Sequence, residues 1–315
     1  MKHLFGPVNS RRLGYSQGID LLPPKICNFN CIYCEIGATT LLTCDRKEYI
    51  PTRNITREIE TLLADREALE RIDIFTITAS GEPTLHTGIG RIIRFIKEKT
   101  AKPVAVLTNG SLLHLPEVRN DLMEADIVIP SLDSAREASY RKINRPAACA
   151  QLDRIIEGLK IFCKEFRGDM RLEILLARGI NDAPEDIDAL LKATRTIQPA
   201  RIQLNTVARP PLEHFAEPLT RDAIERIAAQ FETPTEILVD FAASIKGNFR
   251  PLIESELIEM LKRRPCTTDD ISNALNLDPA TLADSLSNLK LKGTIVTTKH
   301  YGKEYYQTQT EHICS

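Results

Sequence analysis

Six short runs rich in Ile, Val and Leu recur along the chain, at residues 18–22, 73–78, 103–108, 126–131, 171–176 and 201–206. They alternate little between apolar and polar positions, the pattern of strands buried on both faces. Between them apolar residues recur at helical spacing. Ile55, Ile59, Leu62 and Leu63 form one such set; Ile92, Ile93 and Ile96 a second; Leu152, Ile155, Ile156 and Leu159 a third. Strand and helix in alternation predict a parallel sheet with right-handed crossovers. Six units are too few for an eight-stranded barrel. The expected fold class is therefore α/β, a partial, open (β/α)6 barrel over residues 1–250.

From about residue 252 the texture changes. Residues 252–264 read as a helix stopped before Pro265, and 267–275 as a second. Asp278 and Pro279 start a third, as N-cap and first helical residue. Its leucines 282, 286 and 289 keep helical spacing, and Gly293 ends it. Residues 294–298 and 304–307, joined through Tyr301-Gly302-Lys303, read as a β-hairpin. Three helices and a hairpin predict a small winged helix-turn-helix domain at 251–315. From residue 252 onward there are seven Lys or Arg against nine Asp or Glu. Duplex binding neutralises many phosphates with Lys and Arg, and this module lacks that excess, although Lys290, Lys292, Lys299 and Lys303 can share a face. A protein-contact or substrate-presenting role is favoured over operator binding.

The chemistry-bearing residues cluster just past the strand ends, where parallel α/β barrels build their active sites. After the first strand comes Cys27-Asn28-Phe29-Asn30-Cys31-Ile32-Tyr33-Cys34; after the second, Ser80-Gly81-Glu82-Pro83-Thr84; then Asn109, Ser131 with Asp133, and Asn205 with Thr206. Three cysteines on one loop are one short of a structural zinc site. On a [4Fe–4S] cluster they leave one iron without a protein ligand. An open iron can hold a cofactor and pass it an electron.

Bulk properties are those of an ordinary globular chain: 315 residues, 43% hydrophobic, 27% charged, net charge −2. No apolar stretch suits a membrane span and the N-terminus lacks a signal-peptide core, so a cytoplasmic location is expected. Eight cysteines without an export signal argue against a disulfide framework. Cys44, Cys149, Cys163, Cys266 and Cys314 are then buried hydrophobes or idle thiols. Cys44 is the nearest candidate for a spare thiol at the site.

Cys27, Cys31 and Cys34, with Tyr33 before the last cysteine, resemble the signature of the radical S-adenosylmethionine (SAM) superfamily. Ser80-Gly81-Glu82-Pro83 resembles its glycine–glutamate motif, with Ser80 in place of the frequent first glycine. Residues 5–14, Lys142-Ile143-Asn144-Arg145-Pro146, Gly179-Ile180-Asn181-Asp182 and the stretch from Gln203 to Pro210 resemble a narrower subgroup. That subgroup of iron–sulfur oxidoreductases is related to 4-demethylwyosine synthase, a tRNA-modifying enzyme. The resemblance covers about residues 5–250.

The resemblance implies a [4Fe–4S] cluster on Cys27, Cys31 and Cys34, with SAM on the fourth iron. It implies one-electron cleavage of SAM to methionine and a 5′-deoxyadenosyl radical, with an electron donor of flavodoxin or ferredoxin type. Tyr33 is expected against the adenine, and Ser80, Gly81 and Glu82 around the methionine amino group. Asn109 and Ser131 are candidates for the ribose hydroxyls and carboxylate, and Asp133 or Glu173 for the ribose. Glu173 lies among apolar residues of its strand, and its alternative is a salt bridge to an Arg. Arg11, Arg12, Arg145 and Arg209 are candidates to clamp an anionic substrate group, with structural pairing as the alternative. His86 is read as a rim residue rather than a proton donor.

The substrate implied is an RNA base or another macromolecule. A second reading is an activase or modifier of a partner protein, docked through the winged helix. A third is a redox-sensing DNA-binding regulator with an idle core, which an intact Glu82 disfavours. Wyosine-forming enzymes carry further cysteines upstream of the signature, and no cysteine precedes Cys27 here. Wyosine synthesis is therefore not carried over.

Overall fold

A computed structural model describes residues 1–10, 12–238 and 251–309. Arg11 and Cys314 lie outside the described residues. Strand β1 (Leu4–Ser10) turns back into β2 (Gly14–Asp20), and β3 (Ile26–Cys27) pairs with β4 (Leu41–Leu42). Helices α1 (Thr52–Ala64) and α2 (Arg66–Glu70) lead to β5 (Ile74–Thr78), and α3 (Ile89–Lys99) to β6 (Val104–Thr108). Then α4 (Pro116–Leu122) precedes β7 (Ile127–Pro130), and α5 (Glu137–Asn144) with α6 (Leu152–Glu165) precedes β8 (Asp169–Leu176). After these, α7 (Pro184–Ile197) leads to β9 (Arg201–Thr206), and α8 (Arg221–Ala228) to β10 (Thr235–Ile237).

The main sheet has the order β1-β2-β5-β6-β7-β8-β9-β10. Every neighbouring pair from β2 to β10 is parallel, and β1 alone is antiparallel. All six expected strands are present. Two edge strands were not foreseen. Strand β1 carries Gly6 and Pro7, and its register with β2 shifts between Phe5 and Val8. Proline is tolerated in a sheet at an edge or bulge, and β1 is both. The helices bury the residues their spacing marked, Ile55, Ile59, Ile92, Ile93, Ile96, Leu152, Ile155 and Leu159 among them.

The expectation of strands without alternation fails for β8. Leu172, Ile174 and Leu176 are fully buried, while Arg171, Glu173 and Leu175 are half-exposed on the opposite face. On that face the Glu173 carboxylate has polar company in Arg12 and Asn205.

After residue 251 come α9 (Glu254–Arg263), α10 (Thr268–Leu275), α11 (Pro279–Leu291) and an antiparallel hairpin of β11 (Ile295–His300) and β12 (Lys303–Thr308). Thr267 and Asp270 form a reciprocal capping box on α10, and Asp278 caps α11 with Pro279 behind it. Tyr301 and Gly302 both have positive φ, as a two-residue hairpin turn requires. Leu257, Leu261, Ile271, Leu275, Leu282, Leu286, Leu289 and Ile295 make a hydrophobic cluster separate from that of the main sheet. Val8 of β1 packs against it.

One expectation is overturned outright. Cys44 and Cys149 form a disulfide, with Cα atoms 6.4 Å apart and 105 residues between them in sequence. Cys44 is therefore not a spare thiol. Cys163 and Cys266 are free, as expected, and Cys266 is fully buried. Among the described residues no helix is long and apolar enough to cross a membrane.

Candidate functional site

The cysteine loop leaves β3 and is pinned by main-chain bonds to the end of α5. Asn30 N–H donates to Asn144 O (2.9 Å) and Ile32 N–H to Ile143 O (2.9 Å). Phe29 bridges Pro146. Each of the three sulfurs then receives an N–H group. Cys27 Sγ accepts from Phe29 N–H (3.4 Å) and at longer range from Asn109 Nδ2 (3.8 Å). Cys31 Sγ accepts from Asn144 Nδ2 (3.5 Å), and Cys34 Sγ from Lys25 Nζ (2.8 Å). Burial pushes the Cys27 thiol up to about 12 and raises Cys31 as well. Such thiols deprotonate when a metal takes the proton's place.

Among the described residues no group of three or more His, Cys, Asp or Glu is spaced to hold a single metal ion. A four-iron cluster makes a different demand, because each iron takes its own thiolate. Three sulfurs, each supplied with an N–H donor, fit that group.

The second motif is stitched to the first. Glu82 N–H donates to Ile26 O (3.0 Å), beside Cys27. A Cβ on Gly81 would stand 1.7 Å from that same oxygen, so only glycine admits the approach. Ser80 is turned to Asp20 at the end of β2: its N–H donates to Oδ1 (3.1 Å) and its hydroxyl to Oδ2 (2.6 Å).

Glu82 is fully buried. Its Oε1 accepts from Thr84 N–H, Thr84 Oγ1 and Thr108 Oγ1, and its Oε2 from Asn109 N–H (2.7 Å). Desolvation raises its pKa against these stabilising donors. With one donor on Oε2, that oxygen can accept another.

Beside the loop lies a small cavity lined by Phe29, Tyr33, Asn109, Ser131, Asp133 and Asn144. Tyr33 OH donates to Asp133 Oδ2 (2.6 Å), and Asn144 Nδ2 donates to the same oxygen (2.7 Å). Leu175 N–H holds Oδ1 (2.9 Å). Burial raises the pKa of Asp133, which these donors oppose. Asn109 is spread over several partners. Its Nδ2 donates to Asn28 Oδ1 (2.6 Å), and its Oδ1 accepts from Ser111.

Glu173 bridges the main chain of Ser131, but its carboxylate meets Arg12 (2.5 Å) and Asn205 Nδ2 (3.4 Å). Its partner is therefore an arginine, one of the two readings held open. The other described arginines of the expected clamp are each in an ion pair of their own, the alternative held for them. Arg145 pairs with Glu213, and Arg209 with Glu35 and Asp270. His86 is fully buried, not on the rim. Its Nε2 meets Ile50 O (2.7 Å), and Gly88 N–H donates to its Nδ1 (3.0 Å).

Sequence reading missed Asp20, Lys25, Asn28 and the role of Asn144. Asn144 and Asn181 stood in recognised motifs with no role attached. Asn181 carries a structural one, donating from Nδ2 to Asp133 O and Leu175 O. Asp20 and Asn28 meet residues 60 and 83 positions away, and Lys25 meets Cys34 nine residues on, a pairing that no spacing rule marks.

With the geometry in view, similarity to known proteins can be placed on it. Residues 21–194, more than half of the chain, match the Radical SAM superfamily. The chain belongs to the radical SAM superfamily. That superfamily uses SAM and a [4Fe–4S] cluster, and its members are generally enzymes. Among full-length relatives, a UPF0026 protein of Methanocaldococcus jannaschii is 30% identical over 306 residues, covering 96% of this chain and 94% of that protein.

A protein of Brachyspira hyodysenteriae named GTPase Obg is 35% identical over 297 residues. The match covers 93% of this chain and 43% of that protein, so the chain spans less than half its length. Among solved structures, TYW1 with a lysine-pyruvate adduct superposes with a TM-score of 0.51 at 19% identity, over 71% of this chain and 74% of that one. A radical SAM methyltransferase from Sphaerobacter thermophilus gives 0.54 at 14%, over 70% and 66%. Both structures share the fold of the present chain over these stretches.

Proposed function

We propose that this radical SAM protein is an enzyme whose cluster site is Cys27, Cys31 and Cys34 and whose SAM site is the rim beside it. The observation that carries the reading is the set of N–H donors, from residues 25–29, Asn109 and Asn144, directed at the three cysteine sulfurs. When bound, the reduced cluster supplies one electron to the SAM sulfonium, breaking a C–S bond to give methionine and a 5′-deoxyadenosyl radical. The chain's own residues bind and orient. Glu82 Oε2 accepts from the SAM ammonium. Gly81 and Ser80 shape the turn that presents it. Tyr33 and the Asn109–Ser131–Asp133 wall would receive the adenosine, and Glu173, paired with Arg12, is bridged through its main chain to Ser131 of that wall.

The proposed division is a catalytic core at 1–250 and a winged-helix-like domain at 251–315. The order of three helices and a hairpin supports the second. Its seam with the core supports a substrate-presenting role. Arg263 meets Asp20 (3.1 Å), which holds Ser80, and Asp270 meets Arg209 (3.4 Å), which holds Glu35 next to Cys34. The module thus contacts a neighbour of each motif, Asp20 beneath Ser80 and Glu35 beside Cys34, the latter also through Arg264. The substrate proposed is an RNA base, on the strength of the motifs shared with the subgroup related to 4-demethylwyosine synthase. A partner protein is the second reading, favoured by the module's acidic balance.

The test is anaerobic reconstitution. The wild type is expected to take up four irons and to release 5′-deoxyadenosine from SAM with dithionite, and Cys31→Ala to lose both. A Cys31→Ala protein that keeps its cluster and turnover would refute the site. Sequencing RNA against identifying protein in anaerobic co-purification separates the two substrate readings.

A further inference from the structure

Lys25 is a buried cation with an unusual neighbour. The residue is 6% exposed, and among the described residues its Nζ has one hydrogen-bond partner, Cys34 Sγ at 2.8 Å. No carboxylate among the described residues pairs with it, whereas the other buried cation of the core, Arg119, meets Glu165 and two carbonyls. A buried ammonium is costly without an anionic partner. A neutral Cys34 thiol does not supply one, and a thiolate ligated to iron does. The main chain beneath it is held as well: Lys25 O accepts from Thr40 N–H (3.0 Å) and Thr40 Oγ1 (3.0 Å), and from Leu41 N–H (3.3 Å). Lys25 therefore stands where it meets a ligand sulfur without searching for it.

The three sulfurs are not treated alike. Cys27 and Cys31 receive neutral amide donors, from Phe29, Asn109 and Asn144. Cys34 receives a full positive charge. Hydrogen bonds to cluster sulfurs, net charge and solvent exposure set the reduction potential of iron–sulfur centres. A fixed cation in a poorly solvated site favours whichever redox state carries more negative charge. The reduced state carries one electron more.

We infer that Lys25 raises the reduction potential of the cluster bound by Cys27, Cys31 and Cys34, through a charged N–H···S bond to Cys34. It is a positioning and tuning residue that makes the one-electron reduction by a flavodoxin-type donor or dithionite easier, and it contacts no substrate. The inference rests on the cluster site proposed above and adds a role that the cysteine motif does not specify.

The experiment is a potentiometric titration of reconstituted holoprotein, followed by electron paramagnetic resonance, with iron counted in every sample. Lys25→Met and Lys25→Gln are expected to hold the same iron as wild type. At a fixed solution potential they should show at least a tenfold lower ratio of reduced to oxidised cluster, about 59 mV for a one-electron couple. Lys25→Arg, which keeps the charge, should stay within threefold. Met and Gln variants that titrate with the wild type at equal iron, or that reduce more easily, overturn the inference and leave the site intact.

If both variants lose iron, the unsubstituted protein decides. Holoprotein grown with lysine labelled with 15N at Nζ should show a 15N hyperfine coupling on the reduced cluster in pulsed resonance. No such coupling overturns the inference. A wild type that takes up no cluster overturns the site proposal and this one together.

Discussion

At the scale of the residue, the site is a set of buried polar groups, each satisfied by a neighbour. Glu82 is the sharpest case. Its carboxylate is buried among four donors, and only Oε2 has room for a further one. Glu82→Gln keeps the shape and removes the charge, so SAM affinity should fall tenfold or more by equilibrium dialysis while iron content is unchanged. Unchanged affinity would reject the contact. His86 makes a pH prediction. Burial lowers its pKa below the ordinary 6.5, and Gly88 N–H occupies Nδ1, which a second ring proton would displace. The unfolded chain thus binds this proton more readily than the folded one as pH falls through 6.5. Its contribution to stability is present above that pH and is lost on acidification. Denaturant midpoints should drop between pH 7.5 and 5.5, and less steeply in His86→Gln.

At the scale of the element, two short segments hold the cluster loop in place. Strand β3 runs against the turn of Gly81, where Ile26 O takes the Glu82 N–H. Gly81→Ala places a methyl against that oxygen, and the loop carrying Cys27 must shift. The expected cost is about 1–3 kcal/mol of stability, with iron uptake reduced in the same variant; full iron uptake would show that the approach is not needed. On the other side, the Cys44–Cys149 bond ties the segment after β4 to the loop between α5 and α6, which also backs the cysteines. Closing about 100 residues is worth up to about 4–5 kcal/mol in chain entropy. Cys149→Ser should melt lower than wild type in non-reducing buffer, and dithiothreitol should erase the difference. Equal melting without reductant would mean the bond does not form in solution.

At the scale of the molecule, the C-terminal segment is joined by ion pairs to three different segments of the rest of the chain, at Asp20, Glu35 and Arg209. Arg209 is largely buried between Glu35 and Asp270, and Arg264 also reaches Glu35 (3.6 Å). Both acids are held below the usual carboxylate range, opposing their burial, by the charge of Arg209. Tyr305 OH adds a bond to Ala208 O (2.9 Å), and Arg263 lies 3.8 Å over the ring of Phe5. Arg209→Ala removes the shared cation and leaves two acids facing each other. Amide exchange should then rise across 254–308 and in the cysteine loop, while β5 to β8 stay protected. Exchange confined to the substituted loop would argue that the module is held by its apolar contacts alone.

Periodicity and turn chemistry made most of the architecture legible: six parallel strands, three of the helices between them (α1, α3 and α6), and the three helices and hairpin at the end. Each of these rests on local patterns of burial, which a sequence displays directly. Edge strand β10 is three residues long and β1 is broken by glycine and proline, so neither carries a pattern. The cysteines, Tyr33 and Glu82 were legible because their spacing within one loop is itself chemical information. The partners of those residues were not. Asp20 under Ser80, Arg12 on Glu173, Asn144 on Cys31 and the bond between Cys44 and Cys149 join positions 60, 161, 113 and 105 residues apart. Sequence by itself determined which elements form and which loop carries the ligands, since both depend on near neighbours. Only the tertiary structure decided which buried charge meets which, because a buried polar group takes its partner from whatever the packed chain brings within hydrogen-bond reach.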